Sequence, residues 1–123
     1  MKLRIKGNTI RLRLTQTEVD KLSEGTVEDR TQFPGGQSLV YKIQSEEQFG
    51  VDLNEGTVLI SVPASQIQDW ANSDKIEITN SIQLENNEQL EISIEKDFKC
   101  LTERPKEDES DMYPNPLEKH SKC

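Results

Sequence analysis

Histidine, cysteine and aromatic side chains are scarce in this 123-residue chain, which has one histidine, two cysteines and 5% aromatics. With His120 as the lone imidazole, triads and most acid–base pairs of the familiar kinds have no member to offer. No G-x-S-x-G elbow, phosphate-cradling glycine loop or paired C-x-x-C is present. Two cysteines are too few for a disulfide scaffold. No run approaches the roughly 18 apolar residues of a membrane span. The opening alternates charged and apolar residues instead of forming the apolar stretch of a secretory leader. The expected setting is therefore the cytosol.

What is present is an internal echo. Ile10–Gly25 reads IRLRLTQTEVDKLSEG, and Val58–Ser73, 48 residues later, reads VLISVPASQIQDWANS. Ile10, Leu12 and Leu14 align with Val58, Ile60 and Val62, Val19 aligns with Ile67, and Leu22 with Trp70. Matching residue class through an alternating strand and then a helix marks a duplicated supersecondary unit. With 32% apolar and 31% charged residues, the core is thin, as in a sheet with one wet face.

Period-two alternation predicts strands at Met1–Lys6 and Thr9–Leu14 around a Gly7-Asn8 turn. Thr15-x-x-Glu18 is a capping box opening a helix over about 16–24, with Val19 and Leu22 as its stripe. A weak strand, Thr26–Phe33, turns at Pro34-Gly35-Gly36 into Ser38–Gln44, with Leu39, Tyr41 and Ile43 inward. The second half repeats the order: a short strand marked by Phe49, Val51 and Leu53, then Thr57–Val62. A helix at Ala64–Asn72 follows, with a hairpin of Lys75–Ile82 and Gln89–Glu95 whose inward residues are Ile76, Ile78, Leu90, Ile92 and Ile94. The expectation is an α+β domain spanning 1–123. It consists of two pseudo-symmetric β-β-α-β-β halves, about 1–44 and 49–95, and its eight mostly antiparallel strands form an open sheet or a barrel with two short helices. The segment 97–123 is acidic and proline-containing, and is expected to be docked in part.

Charge is uneven. The chain carries a net charge of −8, yet residues 1–14 contribute +5 and the remainder −13. Lys2, Arg4, Lys6, Arg11 and Arg13 fall on one face of the first hairpin and are candidate anion-binding residues, since bases at strand spacing can hold successive anionic groups. The competing reading is internal pairing with outward Glu77, Glu91 and Glu95, should the terminal strands lie side by side. With no aromatic residue among the cations, nucleic acid is disfavoured. The partners considered are a protein or a small anionic ligand, with no membrane. If the sheet curled with its polar face inside, the same acids would hold a hard divalent cation against a phosphate chain. That arrangement resembles triphosphate tunnel enzymes, although MKLRIK supplies the bases of their opening strand and lacks its E-x-E. A second metal candidate is Cys100, His120 and Cys123. No cofactor is implied. The acidic run Glu107, Asp108, Glu109 and Asp111 lacks the glycine and spacing of a calcium loop.

The opening MKLRIKGNTIRLRLTQTEVDKL and the closing KDFKCLTERPKEDESDMYPNP together resemble a small family of uncharacterised bacterial proteins. The resemblance brings no function. It implies that the KDFKCL and DMYPNP segments belong to the domain, and it singles out Asp97, Phe98, Cys100, Arg104, Glu107, Asp108, Asp111, Pro114 and Asn115. The function expected is a non-enzymatic binding or interaction module. The alternative is a metal-dependent phosphohydrolase or a polyphosphate- or nucleotide-binding protein of the tunnel type.

Overall fold

A computed structural model describes residues 1–98 together with Asp111 and Tyr113. Its eight strands and two helices run β1 (Lys2–Lys6), β2 (Thr9–Leu14), α1 (Gln16–Ser23), β3 (Thr26–Phe33), β4 (Gln37–Glu46), β5 (Gly50–Asn54), β6 (Thr57–Pro63), α2 (Ala64–Ala71), β7 (Glu77–Gln83) and β8 (Gln89–Lys96). The α+β class and the twice-repeated β-β-α-β-β order are as expected. The strands form neither one eight-stranded sheet nor a closed barrel. They divide into two mixed four-stranded sheets, ordered β1-β2-β8-β7 and β3-β4-β6-β5.

Each half donates one hairpin to each sheet, and the seam of each sheet is a parallel pairing between halves. At one seam Ile10 pairs with Ile92 and Leu12 with Ile94. At the other, Val58 pairs with Tyr41 and Ile60 with Ile43. Swapping the halves carries one register onto the other, so the pseudo-twofold relates the two sheets. Local alternation cannot reveal this exchange, because it fixes which face is buried and not which distant strand lies alongside.

The inner faces of both sheets and one stripe of each helix form a single apolar cluster. Leu12, Leu14, Val19, Leu22, Ile43, Ile60, Val62, Ile67, Trp70, Ile92 and Ile94 are almost wholly buried in it. One expected inward residue lies outside: Ile76 is 48% exposed, since it precedes β7. Leu53, near the end of edge strand β5, is 72% exposed.

The helix starts differ. Thr15 and Glu18 form the expected capping box on α1. Its remaining free amides meet Asp111, whose carbonyl accepts from Gln16 N at 2.9 Å and whose Oδ1 accepts from Thr17 N at 3.2 Å and Thr17 Oγ1 at 2.9 Å. The N-cap of α2 is Pro63, and among the described residues no side chain caps that helix. Next to Asp111, Tyr113 N donates to Asp97 O at 2.7 Å, and its ring meets Phe98 edge-on. Lys96, 6% exposed, lies between the Tyr113 and Trp70 rings with its Nζ donating to Ser73 O at 2.8 Å. Burial holds its pKa below the ordinary value, opposed by Asp74.

Candidate functional site

Antiparallel pairing of β1 with β2 puts Lys2 opposite Arg13, Arg4 opposite Arg11, and Lys6 opposite Thr9. Directly opposed residues share a face, so all five cations stand on the outer face of the first sheet while Ile10, Leu12 and Leu14 point into the core. The next strand places Glu91 beside Thr9, Ser93 beside Arg11 and Glu95 beside Arg13. Beyond it, Glu77 pairs with Glu95. The outer face is thus basic on one side and acidic on the other, and the terminal strands do lie side by side.

Pairing between the two sides covers only one end. Arg13 Nε donates to Glu95 Oε1 at 3.2 Å, and Arg11 Nε lies 4.0 Å from Glu95 Oε2. Ser93 Oγ lies within hydrogen-bonding distance of both Glu77 and Glu95. Lys2 Nζ reaches Asp97 Oδ2 at 3.4 Å. At the other end, Arg4 and Lys6 are exposed, and neither has an ion-pair partner among the described residues. They line a shallow concavity of about 180 Å³ with Thr9 and Arg11. Glu91 pairs with Thr9 from the next strand. The adjoining Gly7-Asn8 turn is tied down by Glu91 N donating to Asn8 O at 2.9 Å and by Asn8 Nδ2 donating to Glu88 Oε2 at 2.9 Å.

The three acids considered for a metal do not converge. Glu77 and Glu95 meet over Ser93, whereas Glu91 lies four residues along β8. Among the described residues no three His, Cys, Asp or Glu side chains gather as a metal would require. The polar face that a tunnel needs inside is the outer face here. Cys100, His120 and Cys123 lie outside the described residues, as do Arg104, Glu107, Asp108, Pro114 and Asn115. Sequence reasoning expected the closing segment to dock in part, but it did not place Asp111 at the start of α1 or Tyr113 over a buried Lys96, because each contact joins segments far apart in the chain.

These features define a two-sheet α+β protein with exchanged hairpins and one cationic hairpin face. A family model described as a family of unknown function (DUF7009) matches residues 1–117, and the chain belongs to that family. No curated protein and no solved structure matches it. No helix among the described residues is long and apolar enough to cross a membrane.

Proposed function

We propose that the protein is a non-enzymatic, cytoplasmic binding module that takes an anionic group on the β1–β2 face. The observation that carries this reading is the half-neutralised ladder. Acids cover Arg13 and Lys2, while Arg4 and Lys6 stand exposed beside Thr9 and Arg11 around a concavity. Exposed like charges a strand period apart, about 7 Å, repel one another, and an anion between them relieves the repulsion. Two arginines and a lysine supply fork-shaped and point-charge donors, and the Thr9 hydroxyl adds a neutral one. The surrounding acidity of the chain confines anion attraction to this patch.

The test is thermal stabilisation by pyrophosphate, tripolyphosphate and a short acidic peptide, each with and without Mg²⁺. A ligand at a hundred times its Kd adds about 2.7 kcal/mol to stability. Stabilisation by at least one anion is expected, together with loss of more than tenfold in affinity in Arg4→Ala/Lys6→Ala and weakening as salt rises. An unchanged affinity in that double variant overturns the reading.

A further inference from the structure

The edge strand β1 carries more than charge. It is the outermost strand of its sheet. Among the described residues, no backbone hydrogen bond reaches Leu3–Lys6 from anything but β2. Alternate residues of β1 therefore turn N–H and C=O groups outward, available to another strand. On one face of that edge stand Arg4 and Lys6; on the other stand half-buried Leu3 and Ile5, which is 57% exposed. The two rows alternate at the period of a strand.

Resting on the anion-binding reading, we infer that the ligand of β1 is an extended segment of a partner protein in which acidic and aliphatic residues alternate, added to the sheet as a fifth strand. Its carboxylates would meet Arg4 and Lys6 while its aliphatic side chains cover Leu3 and Ile5. The fold already contains this recognition once. On the opposite side of the same hairpin, β8 presents Glu91, Ser93 and Glu95 to Thr9, Arg11 and Arg13, and Ile92 and Ile94 to Ile10 and Leu12. Its sequence, QLEISIEK, alternates in the way the β1 edge demands. Cations about 7 Å apart match alternate residues of a strand, so an in-register polypeptide engages each of them without bending. Main-chain bonds supply affinity in such additions, and the alternating side chains supply selectivity.

The probe is a soluble, fluorescently labelled peptide alternating glutamate and isoleucine, compared with a block isomer of identical composition. Tripolyphosphate serves as the non-peptide anion. Binding is read by anisotropy, and amide exchange is followed at Leu3–Lys6. The alternating peptide should bind at least tenfold more tightly than the block isomer and slow exchange along β1. Its affinity should fall at least tenfold in Arg4→Gln/Lys6→Gln and several-fold in Ile5→Thr, both exposed substitutions on a folded protein. Equal binding of the two isomers with tripolyphosphate still bound overturns the strand-addition inference and leaves the anion site standing. No binding of any anion overturns both. Sedimentation of the free protein as a dimer whose formation protects β1 would make the occupant a second copy, and that too overturns the inference.

Discussion

The hairpins β1–β2 and β5–β6 are the same structure with opposite outer faces. Inside, Ile10, Leu12 and Leu14 match Val58, Ile60 and Val62, all buried. The edge strands match as well, with Leu3 and Ile5 in β1 standing where Val51 and Leu53 stand in β5. Outside, Lys2, Arg4 and Lys6 are replaced by Gly50, Asp52 and Asn54, and Arg11 and Arg13 by Leu59 and Ser61. Folding constrains the inner row, since these side chains belong to the single buried apolar cluster. The outer row is free of that constraint. Of the five cations on one of these two otherwise equivalent surfaces, Lys2, Arg11 and Arg13 meet acids of the fold, whereas Arg4 and Lys6 have no ion-pair partner among the described residues and are not explained by the needs of the fold.

The largest effect tests the inner equivalence. Leu12→Ala and Ile60→Ala each remove a wholly buried side chain at matching positions, and each should cost about 2–5 kcal/mol. Chemical denaturation should give values within about 1 kcal/mol of each other, the scatter expected for sites that relax differently. A much larger gap would break the pseudo-symmetry as an energetic statement.

Next come the turns. Gly56 has φ +79°, and a Cβ there would lie 2.8 Å from Ser38 O. Its counterpart Asn8 already carries a side chain. Gly56→Ala should lose about 1–3 kcal/mol through strain and the backbone clash. Asn8→Ala gives up only an exposed bond to Glu88 and should cost less than about 1 kcal/mol. Thermal unfolding of the two variants side by side separates a turn pressed against β4 from one held by a side chain.

A smaller effect sharpens the outer difference. Glu95, with its side chain 14% exposed, is the acid that Arg13 and Arg11 share. Glu95→Gln should lower stability by about 1 kcal/mol. It should also raise anion affinity, because Arg11 is then released toward the concavity it lines with Arg4, Lys6 and Thr9. Opposite signs in the unfolding and binding measurements are the signature. A parallel loss of both would mean that Glu95 positions the arginines and does not compete for them.

Much of this was legible in the chain, and the boundary between legible and hidden follows sequence separation. The Gly7-Asn8 turn, the Thr15–Glu18 box and period-two alternation are local, and they place nearly every strand and helix within a residue or two. The 48-residue echo gives the paired halves. What stayed hidden was pairing across the chain: the parallel seams, the split into two sheets, and which cations meet acids. Glu91 shows this well. On pattern alone it belonged with the partners of the bases, yet the register sets it beside Thr9, leaving that end of the ladder open. Ile76 reads as inward by alternation, but β7 begins one residue later. Lys96 continues the inward parity of Ile92 and Ile94, and its charge argued against burial until Tyr113 and Trp70 covered it.

The smallest effect separates the two helices. The start of α1 is completed by Asp111, and that of α2 has Pro63 and, among the described residues, no side-chain cap. Hydrogen bonding from Thr15, aided by Thr17 and by the charge of Lys21, holds the Asp111 carboxyl below its ordinary 3.8 against a smaller opposing effect of desolvation. A folded pKa below the unfolded one contributes stability that is complete above the unfolded value and disappears as pH falls through the folded one. The contacts of Asp111 should therefore persist at neutral pH and weaken only below about pH 4. Trp70, the sole tryptophan, reports on this, because Tyr113 lies over the same Lys96 ammonium that Trp70 contacts. Acid titration should change Trp70 emission in a step that Asp111→Asn removes, before global unfolding lowers the far-ultraviolet helix signal. If the step survives in Asp111→Asn, the Asp111 carboxyl does not hold Tyr113 in place, and the docking rests instead on the backbone bond from Tyr113 N to Asp97 O and on the ring contact with Phe98.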